Sequence, residues 1–195
     1  MESVSEESPS LIVPLSEDEG RAEAKPKKTG SREWYTDQHM VWLLKHYCDD
    51  IDICAPIHDE ANQGELNAQS LWENIDHEGA SGKMIAAVNL GNTHWVALYI
   101  DYSRKPVSVY YADPFGNTKI STRLKTAIEN IARIKVWGGI TWRNNTTRYQ
   151  AAMDGHNCGP WTVVFLKSLT ENGSLPRLGD INIVNTRAAH NQLFV

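Results

Sequence analysis

The run Met84-Ile85-Ala86-Ala87-Val88-Asn89-Leu90-Gly91-Asn92-Thr93-His94-Trp95-Val96-Ala97-Leu98-Tyr99-Ile100-Asp101 decides the fold. Its two apolar stretches, 84–90 and 95–101, have strand length, and Gly91-Asn92-Thr93 separates them. That pattern predicts a β-hairpin. Downstream, Val107–Ala112 reads as a third strand after the turn-like Ser103–Pro106. Ile120, Leu124, Ala127, Ile128 and Ile131 recur at helical spacing within 119–134. Val136–Trp142 reads as a fourth strand, with Gly138-Gly139 marking a bulge. Upstream, Met40, Val41, Leu43, Leu44 and Tyr47 predict an amphipathic helix over 37–49, capped by Thr36 or Asp37. Residues 55–68 are polar and read as a loop with room for a short helix. The last clear helix spans 160–170, with Pro160 at its first position and Asn172-Gly173 stopping it. Strands and helices in this order predict an α+β domain, a central mixed sheet flanked by helices.

A chain of 195 residues is long enough for one domain with a real core. Its formal charge of −5 excludes a basic nucleic-acid footprint. Three cysteines, Cys48, Cys54 and Cys158, do not make a disulfide framework and lack zinc spacing, so a reducing compartment is expected. No stretch approaches the length of a membrane span, and no basic-then-apolar leader is seen. Seven tryptophans are many for this length, enough for some to line a groove. Residues 1–31 differ from the rest, being rich in Ser, Glu, Pro and Lys. They are expected to be a disordered leader ahead of a folded domain at 32–195.

Cys158 lies in His156-Asn157-Cys158-Gly159-Pro160-Trp161, just ahead of the predicted helix. A thiol there meets unpaired N–H groups and the positive end of the helix dipole, and both favour thiolate. Gly159 would let a substrate backbone approach closely. The position alone suits a buried structural cysteine equally well. His94 opens the second hairpin strand and can serve as a base and then an acid. Asp113 follows the strand 107–112. If that strand pairs antiparallel with 95–101, His94 and Asp113 share one end of the sheet, where a carboxylate could orient the imidazole. The other histidines, His39, His46, His58, His77, His156 and His190, show no metal-ligand spacing. His39 and His46 share a helix face and read as surface residues.

These blocks in this order resemble the ubiquitin-like-protein-specific cysteine proteases of clan CE, which include SUMO proteases, adenain-type viral proteases and bacterial deubiquitinase effectors. Trp34-Tyr35-Thr36-Asp37 resembles the family's entry to the first helix. Ala87 through Trp95 resembles its histidine strand, Tyr110-Tyr111-Ala112-Asp113-Pro114 its aspartate strand, and Gln150 through Trp161 its nucleophile block. The resemblance implies a papain-like/adenain-like fold. It also implies Cys158 as nucleophile, His94 as base and acid, and Asp113 as orienter. Gln150 would be an oxyanion donor, although it lies eight residues before Cys158, a longer spacing than in the SUMO proteases. Trp34 and Trp95 would wall a narrow channel for a Gly-Gly tail, since flat aromatic walls exclude larger residues. Either tryptophan can also be core.

The implied activity is an isopeptidase on ubiquitin, favoured here, or on SUMO or NEDD8, with no cofactor or metal. The implied state is a soluble cytosolic monomer. The bacterial group would add secretion into a host cell as an effector. Two other readings stay open. An acetyltransferase effector would use the same triad, but the ordered chain lacks a basic cluster for an inositol phosphate. A non-catalytic binding module would keep the groove without the chemistry.

Overall fold

The computed structural model describes residues 24–59, 71, 80–116 and 119–195. Its helices are α1 (Asp37–Tyr47), α2 (Thr122–Ile134), α3 (Cys158–Asn172) and α4 (Ile183–Leu193). Its strands are β1 (Asp52–Ile53), β2 (Ile57–Asp59), β3 (Lys83–Leu90), β4 (His94–Asp101), β5 (Val107–Ala112) and β6 (Ile140–Asn144). They form one mixed sheet in the order β1-β3-β4-β5-β6, with β2 also paired to β3. The fold is therefore α+β, with four helices among the described residues.

The predicted hairpin is β3–β4, antiparallel, with Leu90 opposite His94 and Val88 opposite Val96. β4 and β5 are also antiparallel, with Ala97 opposite Ala112. The start of β4 and the end of β5 therefore lie at one end of the sheet. Side chains of a strand alternate between its faces, and two cores result. Ile85, Ala87, Trp95, Ala97 and Tyr99 face α1 and α3. Met84, Ala86, Val88, Val96, Leu98 and Ile100 face α2 through Leu124, Ile128 and Ile131. β3 and β4 are buried on both faces, which explains their near-continuous apolar sequence.

Some expectations shift. β1 and β2 pair parallel to β3, so the start of the expected 55–68 loop is strand, while 60–68 lie outside the described residues. The Gly138-Gly139 pair lies in the connection from α2 to β6 rather than at a bulge. Val136, Gly138 and Gly139 have φ of 52°, 75° and 128°, and β6 begins only at Ile140. In the leader, residues 1–23 lie outside the described residues. Residues 26–29, in contrast, are tied to the other end of the chain. Lys28 N–H donates to Val195 O and Val195 N–H to Pro26 O, each at 3.0 Å. Thr29 exchanges hydrogen bonds with Asn191 of α4 in both directions. The segment expected to be disordered thus contains, at residues 26–29, a strap hydrogen-bonded to the fold.

That strap also corrects the reading of His39, which is buried rather than on the surface. Its Nδ1 accepts the Thr36 N–H at the start of α1, so its Nε2–H donates to Lys27 O at 2.8 Å. Its ring packs edge-on against Phe194. His46, two turns further along α1, is exposed and stacks on Trp42.

Candidate active site

α3 begins at Cys158 itself, two residues before the expected start at Pro160. Proline is still accommodated, because the first turn of a helix has no internal partner for its N–H groups. Cys158 therefore occupies the first helical position, where the helix field is strongest. Asn157 is the N-cap and its carbonyl accepts Trp161 N–H at 3.0 Å. Cys158 is buried and is not in a disulfide.

His94 meets it from the sheet. Its Nε2 donates to Asp113 Oδ1 at 2.7 Å, which leaves Nδ1 for the Cys158 thiol, itself within hydrogen-bond reach of the ring. Burial alone would lower the pKa of His94. The hydrogen bonds and charges of Asp113 and Cys158 outweigh that and push it up to about 9. The structure therefore brings together Cys158, His94 and Asp113: a thiol, a basic imidazole and a buried carboxylate.

Asp113 is held from several sides. Its Oδ1 also accepts Phe115 N–H at 2.8 Å. Asn145, just beyond β6, takes Asp113 N–H on its Oδ1 and returns its Nδ2–H to Asp113 O, at 2.8 and 2.7 Å. The segment 113–116 is a turn closed by Gly116 N–H to Asp113 O. Gly116 has φ of 72°, and a Cβ there would lie 3.0 Å from the carbonyl oxygens of Thr146 and Thr147, so glycine is required twice over. Phe115 then stacks on the His94 ring, 4.9 Å between centroids. This shields the imidazole on one face.

Gln150 is buried beside this turn, with its backbone N–H donating to Pro114 O. Its side-chain Nε2 donates to Asp154 O in the loop that leads to Cys158. An amide nitrogen carries two N–H groups, so one is left over. Asp154 orders the same loop, accepting the N–H of His156 and of Asn157 on Oδ1 and the Asn157 Nδ2–H on Oδ2. The long spacing between Gln150 and Cys158 is thus a structured turn.

The two tryptophans part company. Trp34 is 40% exposed, whereas Trp95 is 1% exposed. Trp95 sits on the β4 face that meets the helices and donates its indole N–H to Tyr35 O at 2.8 Å. As placed, it is a core residue that fixes the chain next to Trp34 rather than a wall open to a substrate.

Gly159 also changes meaning. A Cβ there would lie 3.0 Å from Cβ and Cδ2 of Tyr35. The glycine makes room for Tyr35, not for a substrate backbone. Gly159→Ala is expected to lower stability by about 1–3 kcal/mol through overpacking, partly offset by the better helix propensity of alanine. Thermal unfolding would read this directly, and an unchanged or raised Tm would contradict it.

Sequence reasoning did not find Asn145, Phe115, Asp154 or Tyr35. The Asn157-Cys158 dipeptide and Phe115, two residues after Asp113, were local signals. Asn145 gave none, since its contact with Asp113 spans 32 residues of chain.

The chain shares the fold of the Ulp1-like cysteine proteases. Three solved structures illustrate it. The ASFV pS273R protease is 14% identical, with a TM-score of 0.58 over 88% of this chain and 71% of that one. The Ulp1 protease domain in complex with Smt3, the yeast ortholog of SUMO, is 15% identical with a TM-score of 0.54, covering 83% and 76%. The Rickettsia bellii effector protein RickCE is 13% identical with a TM-score of 0.62, covering 82% and 93%. No family model and no curated protein matches the chain. Among the described residues no helix is long and apolar enough to cross a membrane.

Proposed function

We propose that this protein is a cysteine isopeptidase that releases ubiquitin, or a ubiquitin-like modifier such as SUMO or NEDD8, from its conjugates. The observation that carries the reading is the line from Asp113 through His94 to Cys158 at the first position of α3. The fold shared with Ulp1 and RickCE supports it. The chemistry follows from the groups present. Cys158 gives its proton to His94 Nδ1, and Asp113 stabilises the resulting imidazolium through Nε2–H. The thiolate attacks the carbonyl carbon of the modifier's last glycine. Negative charge develops on that oxygen, for which the Cys158 N–H and the second N–H of Gln150 are the candidate donors. His94 then protonates the departing lysine amine, leaving a thioester. Water, deprotonated by His94, hydrolyses the thioester and restores the thiol.

Trp34 is proposed as the exposed wall that meets the modifier's tail, with Trp95 as its support from behind. Ubiquitin is the first modifier to test, as the sequence resemblance to bacterial deubiquitinases suggests. The experiment is a panel of ubiquitin, SUMO and NEDD8 probes carrying a C-terminal electrophile. The ubiquitin probe is expected to label the wild type at Cys158. Labelling by SUMO or NEDD8 alone would move the substrate within the class. Failure of all three on folded protein would overturn the reading.

A further inference from the structure

Arg187 is the most heavily bonded side chain next to the nucleophile, yet it lies in α4, far from it in sequence. It is buried. Its Nε donates to Asn157 Oδ1 at 2.9 Å, and its Nη2 to His156 O and Glu33 O, each at 2.7 Å. Its Nη1 donates to Gly30 O at 3.1 Å and Thr29 Oγ1 at 3.3 Å. The guanidinium also sits over the Tyr35 ring, 4.9 Å from its centroid. One side chain thus joins the strap, the first-helix entry and the two residues that precede Cys158.

These acceptors are carbonyl, amide and hydroxyl oxygens, not carboxylates. A buried guanidinium stays charged, and removing it from water is costly unless an opposite charge lies near. Tyr35, Asp154, Cys158 and Glu33 are close enough to interact with it through charge, and Cys158 is the only one of these with a nucleophile's role in the proposed reaction. We propose that Arg187 is a positioning residue for Cys158: it fixes the 156–157 backbone so that the sulphur faces His94, and its charge favours the thiolate. This rests on the reading of Cys158 as nucleophile. The other groups that shape the local field are His94 and Asp113 from the sheet, Asp154 and His156 from the loop, Glu33 and Tyr35 from the entry to α1, and His190 from α4, whose Nδ1 is hydrogen-bonded to Tyr35 OH. A planar fork reaching five acceptors is something lysine cannot copy, although lysine keeps the charge.

The test is the rate of Cys158 alkylation by iodoacetamide as a function of pH. It is followed by peptide mass spectrometry on full-length protein shown to be folded by circular dichroism. It needs no modifier substrate, so it separates two failures. A wild type that alkylates like an ordinary free thiol, with a midpoint near the usual cysteine value, would overturn the reading of Cys158 itself. If the wild type is activated, Arg187→Gln is expected to raise the midpoint by about one unit and slow alkylation at neutral pH about tenfold. Arg187→Lys should recover part of the midpoint but not the full rate. Asn157→Ala, which leaves the charge and the strap contacts in place, should slow alkylation with a smaller change of midpoint. It also serves if Arg187→Gln does not fold. A role in packing alone predicts lower Tm values with the wild-type rate and midpoint in the folded protein. That outcome in Arg187→Lys and Asn157→Ala would overturn the proposal.

Discussion

Replacing Cys158 by alanine is expected to abolish cleavage of the modifier conjugate while leaving the modifier bound. Without the sulphur no thioester can form, and loss of a nucleophile from a working triad removes about 10⁴-fold or more of kcat. The side chain is small and buried at the head of α3, so alanine fits without disturbing the helix. Cleavage of a ubiquitin, SUMO or NEDD8 conjugate, followed on a gel beside a binding titration, would show the split. Residual cleavage within tenfold of wild type would remove Cys158 from the role.

Asp113→Asn should be the next most damaging change, and its mark is a displaced pH profile. Asp113 is one reason that His94 titrates near 9. In the proposed mechanism the charged ring is the proton donor to the leaving amine, so wild-type activity should fall as pH rises through about 9. Asparagine removes the negative charge and can turn its NH₂ toward Nε2, which favours the wrong tautomer. The ring's pKa then drops and the alkaline limb moves to lower pH. A loss of about 10²- to 10⁴-fold in kcat/KM is expected, larger at pH 8 than at pH 6. The same shift has a stability counterpart. A ring whose value rises from 6.5 to about 9 on folding stabilises the native state fully below 6.5, and this is lost as pH rises through 9. Unfolding by urea at pH 6 and pH 9.5 should show the wild type losing more stability than the variant. An alkaline limb unmoved by the substitution would contradict this account of His94.

The meeting of His94 with Asp113 was legible in the sequence because it needs only local facts: a short turn, an antiparallel pair and the end of each strand. The two cores were not read from the sequence, because β3 and β4 are apolar on both faces, so the run marks strands without saying which helices cover which face. Trp95 shows the limit of that kind of inference. The pattern places it on a strand, but only the packing of α1 and α3 says that its face is closed. His39 was misread for one physical cause. The strap that covers it is polar and short of apolar residues, so it looked unable to pack. Its attachment rests on backbone hydrogen bonds to Val195 and on Asn191 and Arg187, and composition does not record these. Arg187 was invisible for the same reason: its bonds to Thr29 and Asn157 cross 158 and 30 residues.

The pairing of Val195 with Pro26 and Lys28 lets the chain be cut and rejoined. A few residues would bridge Val195 to Pro26, and new ends could open in the exposed stretch at Arg177–Leu178 between α3 and α4. In such a circular permutant α4 would come first and the strap would follow it directly. The Arg187–Thr29 contact, now among the most distant in the sequence, would become a neighbourly one. Lower contact order favours faster folding, so the permutant could dock its strap early, with α3 and its cysteine arriving last.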